Sequence, residues 1–302
     1  MVRKITTILA LGFLAACSTL SGQGATHTPG LPRVLVVETF LADITRHVAG
    51  DRLTVDSLLP ENMDPHSYQP APRDIIKVAK SDVLIINGVG IETFLAPLLV
   101  NAGGTRLVIT ASAGLTARPD PNGEHPEGDP HFWLDPNNVI KYVENIRDGL
   151  IQADPQDQIL FADNAAAYIL QLQVLDTWIK EQVAQIPLSQ RQLVTNHDSL
   201  GYFAARYGFT VVGSIIPSVS SESDPTARQL ANLIDQIRKS KARAIFIETG
   251  ANTNLAEQIS SETSARIVTD LYIHSISDAN GPAPTYIDLV KYNVTQIVNA
   301  LK

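Results

Sequence analysis

From residue 33 onward, short runs rich in Val, Ile and Leu alternate with longer stretches in which apolar residues recur every three or four positions. This is the pattern of strands alternating with amphipathic helices. It predicts strands at 34–38, 53–59, 83–87 and 107–110 and helices at 41–48, 72–80 and 92–102. A further helix at 136–153 carries Val139, Ile140, Val143, Ile146, Leu150 and Ile151 on its apolar face. No Gly or Pro lies between Pro155 and Pro187, and the segment is rich in Ala, Gln and Leu. That composition predicts one unbroken helix over 155–186, ~48 Å long at 1.5 Å per residue. The pattern then resumes, with strands at 192–195, 210–216, 244–248 and 266–269 and helices at 226–240, 255–263 and 286–301. The expected fold class is therefore α/β: two α/β lobes with mainly parallel sheets, at 33–154 and 188–302, joined by one long rigid helix at 155–187. Two polar stretches, 118–130 and 218–224, read as loops, the second ending in Asp224-Pro225, an N-cap followed by Pro at the first helical position.

The chain start follows a different rule. Arg3 and Lys4 precede an apolar run from Ile5 to Ala16, too short for the ~20 residues of a membrane-spanning helix, so residues 1–16 read as an export signal. The run ends in Leu14-Ala15-Ala16-Cys17, which resembles a bacterial lipobox and makes Cys17, the only cysteine, the expected lipidation site. Residues 17–32 are small and polar and read as a flexible tether. A lipid-anchored, extracytoplasmic protein, in the periplasm or at the cell surface, is expected. The 302 residues include 23 Lys and Arg against 31 Asp and Glu, a net charge of −8. Affinity for nucleic acid comes largely from basic residues that release counterions, so a nucleic-acid partner is excluded. One cysteine excludes a disulfide scaffold.

The candidate chemistry lies in the histidines. Of seven, His66, His131 and His197 share a local style, in Asn62-Met63-Asp64-Pro65-His66, Asp129-Pro130-His131-Phe132-Trp133 and Thr195-Asn196-His197-Asp198. A Pro directly before His66 and His131 restricts the backbone. Nearby acids can accept the second imidazole N–H and so fix which nitrogen faces a ligand. Neither His-Glu-x-x-His nor Cys-x-x-Cys is present, so any metal site must be assembled from residues distant in sequence.

These segments resemble the metal-binding solute-binding lipoproteins of bacterial ABC importers, the cluster A-I or TroA/ZnuA-like family. The resemblance rests on Asp64-Pro65-His66-Ser67-Tyr68-Gln69-Pro70, on 129–136, on Asn196-His197-Asp198-Ser199-Leu200-Gly201-Tyr202-Phe203 and on Gly281-Pro282-Ala283-Pro284-Thr285-Tyr286. It covers nearly all of 33–302. It implies a high-affinity receptor for zinc or manganese that delivers its ion to a membrane permease and ATPase, expected as a monomer and not as an enzyme. It also implies His66, His131 and His197 as ligands. The family's fourth ligand is usually a carboxylate in a Leu-Tyr-x-Asp-Ser segment. Here Leu271-Tyr272-Ile273-His274-Ser275 puts His274 at that position, with Asp270 or water as the alternative. Glu248, Asp64 and Asp198 are the expected supporting acids. Imidazole in place of carboxylate tilts the site towards Zn²⁺ over Mn²⁺, although zinc receptors of the family often carry a long His-rich loop, and 118–130 has only His125. With a free imidazole pKa of ~6.5, affinity is expected to fall as pH drops below about 6.

Two other functions have requirements that the sequence meets only in part. A secreted zinc-dependent hydrolase would need an open metal position and a general base, for which Glu248 is the best candidate. A surface adhesin would need an exposed apolar or aromatic patch.

Overall fold

The computed structural model describes residues 30–120 and 125–302, and the export signal, Cys17 and nearly all of the tether lie outside these. Among the described residues no helix is long and apolar enough to cross a membrane.

The first lobe is built on β1 (Val34–Val36), β2 (Val55–Ser57), β3 (Val83–Ile86) and β4 (Leu107–Thr110), all parallel, in the order β2-β1-β3-β4. Val34 lies opposite both Val55 and Val83, and Val83 opposite Leu107. β1 and most of β3 are buried; continuous apolar strands of this kind belong in parallel sheets covered on both faces. The covering helices are α1 (Thr39–Ala49), α2 (Pro72–Lys80), α3 (Leu95–Ala102) and α4 (Pro136–Ala153). The second lobe repeats the plan with β5 (Gln192–His197), β6 (Thr210–Ile216), β7 (Ala244–Glu248) and β8 (Arg266–Leu271) in the order β6-β5-β7-β8.

Between the lobes runs α5 (Gln158–Val183), 26 residues long. It is shorter than the 155–186 helix expected, because Pro155–Asp157 forms a separate 3₁₀ turn and the chain leaves α-geometry before Ile186. Its buried residues Phe161, Ala165, Tyr168, Leu172, Leu175, Ile179 and Val183 recur at three- and four-residue spacing and face α4 and α1. In the second lobe, α6 (Gly201–Tyr207) had no counterpart in the sequence reading, since seven residues are too few to show a helical period. It is followed by α7 (Ala227–Ser240), α8 (Asn254–Thr263) and α9 (Tyr286–Leu301).

α9 leaves the second sheet and packs on α5 and α1 as well as β8. Its first residue is fixed by first-lobe groups: Tyr286 N donates to Asp43 Oδ2 at 2.8 Å, and its hydroxyl donates to Trp133 O at 2.6 Å. Trp133 in turn stacks on Phe40 at 4.5 Å between ring centres and donates from Nε1 to Ile273 O at 2.8 Å. One apolar core therefore continues through both lobes, with Phe40, Trp133, Tyr168, Phe246 and Tyr286 in a single cluster. Trp133 is fully buried. Trp133→Ala is expected to cost about 3–5 kcal/mol, read as a lower denaturant midpoint with the same transition slope.

Candidate metal centre

The site lies where the carboxyl ends of the two sheets face each other. In each lobe the connections turn to opposite sides from the two central strands, β1 and β3 in one and β5 and β7 in the other. Ligands of open α/β sheets bind at such switch points.

His66 lies on the β2–α2 loop and His131 on the loop after β4. Both follow the same Asp-Pro pair, and the structure explains why. Asp64 Oδ1 accepts from His66 N at 2.9 Å, and Asp129 Oδ1 accepts from His131 N at 3.0 Å. Each acid closes a turn that the intervening Pro pre-sets. Asp129 Oδ1 also receives the ring Nδ1 of His131 at 2.8 Å. His197 was expected in a loop but is the last residue of β5, because the strand runs two residues beyond Thr195. Its Nδ1 is hydrogen-bonded to Glu248 Oε1 at the end of the neighbouring β7. His274 follows β8, with Nδ1 3.2 Å from Glu248 Oε2 and 3.7 Å from Asp64 Oδ1.

With three Nδ1 atoms turned towards carboxylates, the Nε2 atoms converge. His131 Nε2 lies 3.1 Å from that of His197, 3.3 Å from that of His274 and 3.4 Å from that of His66. Ligand atoms of all four residues lie within 4.8 Å of one another. A tetrahedral zinc ion with Zn–N bonds of 2.0–2.1 Å has N···N edges of ~3.3 Å, close to the spacings around His131. His131 and His197 are fully buried, His274 nearly so, and His66 is the most accessible.

Among the sequence candidates, Glu248 and Asp64 stand directly behind the imidazoles. Glu248 uses both carboxylate oxygens on His197 and His274, so neither is free to act as a general base. Asp64 also accepts a hydrogen bond from Ser221 on the opposite lobe. Asp270 lies elsewhere: it is exposed, at φ 68°, accepts from the Thr269 hydroxyl at 2.7 Å and is not in the cluster. Asp198 holds Ser218 O through its backbone N–H at 2.9 Å. Among the described residues, no hydrogen bond joins its carboxylate to the four rings. The sequence reading missed Asp129 as a named partner, although it stands two residues before its histidine just as Asp64 does.

The electrostatics follow from burial. Burial, then the charge of His274, pushes His66 down to about 3. Burial and the other imidazoles drive His131 well below its ordinary range. His197 goes the other way: burial opposes its charge, but the Glu248 carboxylate outweighs burial and raises it. Glu248 is correspondingly held well below the usual carboxylate range by His197 and His274, against the cost of burial. Burial lifts Asp129 to about 7, opposed by the hydrogen bond from His131 N. Among these groups, His197 is the imidazole whose charged form the surroundings favour.

A cation bound by His197 would have to displace a proton from its charged form. Since the pKa of His197 is raised, its protonated form persists above pH 6.5, and competition begins at higher pH than a free imidazole would give. Below that folded-state pKa, affinity is expected to fall about tenfold per pH unit. Calorimetry in buffers of different ionisation enthalpy should find protons released as the ion binds, and more of them at lower pH; release that does not change with pH would contradict the assignment.

The same architecture occurs in known proteins. The periplasmic zinc-binding protein TroA from Treponema pallidum superposes with a TM-score of 0.81 at 28% identity, covering 90% of this chain and 99% of that one. The manganese-binding lipoprotein MntA of Halalkalibacterium halodurans is 33% identical over 295 residues, 97% of this chain and 96% of its own. The iron-binding protein YfeA of Yersinia pestis is 32% identical over 292 residues, 96% and 93% of the two chains. Fold and site together define an extracytoplasmic solute-binding receptor of the metal-importer class. The chain belongs to the family described as zinc-uptake complex component A, periplasmic, whose model matches residues 34–300. Members of this family are the binding components of ABC importers and not enzymes.

Proposed function

We propose that this protein captures one divalent cation between its lobes on His66, His131, His197 and His274, and delivers it to a membrane permease and its ATPase. The observation that carries the reading is the convergence of the Nε2 atoms of His197, His274 and His66 on that of His131, at 3.1, 3.3 and 3.4 Å, with three of the rings backed by carboxylates. In this reading each lobe gives two ligands, and neither lobe alone makes a site. Cys17 carries the lipid that holds the body, as a monomer, to the membrane through residues 17–32.

Zinc is the favoured cargo, with manganese next. The relatives are named for manganese, iron and zinc, so the preference must be argued from this chain's own donors. Four neutral nitrogens suit zinc, whereas manganese favours oxygen. An all-protein shell of four also leaves no position for an activated water, as a hydrolase would need. Competition between zinc and manganese at buffered free concentrations tests the cargo, with preferential retention of zinc expected; preferential retention of manganese would refute it. His66→Ala should weaken zinc binding strongly without loss of fold, since the ring lies in the histidine cluster while the loop's core contacts are made by Leu58, Leu59 and Tyr68.

Metal release is expected to be a small motion. The lobes share a continuous core, α5 is a single helix and α9 spans both, so loop shifts rather than a wide swing fit the architecture. Small-angle scattering should show nearly the same radius of gyration with and without zinc, and a large change would overturn this view.

A further inference from the structure

The first lobe has a switch point of its own, and it holds a buried acid pair with no part in the four-histidine cluster. Glu38 follows β1 and caps α1, and it is fully buried. No amide, hydroxyl or cation reaches either oxygen of its carboxyl. The group facing it is the carboxyl of Glu92, also buried. Two carboxylates cannot both stay charged in such a place, and an O–H···O bond between them requires one proton.

The surroundings say which acid carries the proton. Glu92 Oε1 accepts from Asn87 N at 2.6 Å and from Gly88 N at 3.2 Å, and Oε2 lies 3.2 Å from the same Gly88 N. Burial raises Glu92 too, but those amides oppose it, whereas nothing comparable reaches Glu38, which is raised well above the carboxylate range and is the better place for the proton. The turn that Glu92 holds is strained. Gly88, Val89 and Gly90 all have positive φ, at 90°, 55° and 70°, costly for β-branched Val89. A Cβ on Gly88 would come within 2.6 Å of Thr110 Cγ2.

From this turn one line of bonds leads to the metal centre. The Asn87 side chain accepts from the Tyr142 hydroxyl and donates from Nδ2 to Gly88 O at 3.0 Å and to Pro130 O at 3.1 Å. Pro130 precedes His131, the imidazole whose Nε2 is within 3.4 Å of the other three. A second line starts beside Glu38, where the Thr39 hydroxyl meets Ser275 Oγ at 3.0 Å and accepts from Ile276 N at 3.1 Å, just after His274.

We propose that a neutral Glu38, sharing its proton with Glu92, and Asn87 are positioning residues for metal capture: the acid pair locks the strained turn, and Asn87 then fixes the loop that aims His131. The inference rests on the four-histidine reading of the site. The whole protein is tested with zinc, by chelator competition, and with cobalt, whose visible spectrum reports ligand geometry. Glu38→Gln supplies an amide N–H where the shared proton was, and should keep zinc affinity within about threefold and leave the cobalt spectrum unchanged. Asn87→Asp removes the N–H that Pro130 O accepts. It should lose about 10- to 100-fold in affinity, the usual effect of removing a group that orients a ligand, and alter the cobalt bands. If Asn87→Asp does not fold, Asn87→Ser, too short to reach Pro130, should show the same loss. Infrared spectra of the metal-free protein at pH 8 should contain a protonated-carboxyl band that is absent in Glu38→Gln. Absence of that band in the wild type, an Asn87 variant equal to wild type, or a Glu38→Gln loss as large as that of Asn87→Asp would overturn the proposal. A wild-type cobalt spectrum without tetrahedral nitrogen character would instead refute the four-histidine site and leave the infrared result standing.

Discussion

Four imidazoles turned towards one another, with Nε2 atoms 3.1–3.4 Å apart around His131, form an unfavourable arrangement, and much of the structure exists to hold it. Imidazoles left to themselves would rotate so that a donor met each acceptor. Asp129 and Glu248 prevent this by receiving Nδ1 of His131, His197 and His274, and burial removes the water that could otherwise satisfy Nε2. In the proposed reading, a divalent cation would resolve the conflict by accepting all the lone pairs at once. On that reading the site is electrostatically preorganised, and the carboxylates set behind the rings would bring net charge closer to balance on binding.

The two sheets deliver these groups by the same topological device. In both lobes the central pair of strands ends at a crevice between oppositely directed connections. In the second lobe that crevice holds His197 against Glu248, and in the first it holds Glu38 against Glu92. One switch point therefore contributes His197 and its carboxylate directly, while the other lies behind the loop that carries His131. The shared core, with Trp133 bonded to Ile273 and Tyr286 bonded to Trp133 and Asp43, keeps the two crevices in register.

Much of this was legible in the chain. The alternation of strands and helices gave both lobes, and strand and helix positions agree closely in β4, α2, α4 and β7. Where expectation and structure part, side chains outside the local pattern are the cause. The helix expected from residue 92 begins at Leu95, because the Glu92 carboxyl folds back onto Asn87 and Gly88. The strand expected over 53–59 is reduced to Val55–Ser57, the length β1 can pair. Three candidate histidines were visible from their Asp-Pro or strand-end settings, and His274 from its place in a family resemblance.

What the amino-acid sequence determined by itself was local: hydrophobic period, turn chemistry at each Asp-Pro-His, and the stock of imidazoles and acids. Only the tertiary structure decided which of those acids stand behind which ring. Glu248 serves two histidines 51 and 26 residues away, Asp270 is turned out to solvent, and Glu38 meets Glu92 in a dry interior. Such pairings depend on strand order and on the angle at which each strand ends, and these are set by the packing of the whole core, not by the neighbours of any residue along the chain.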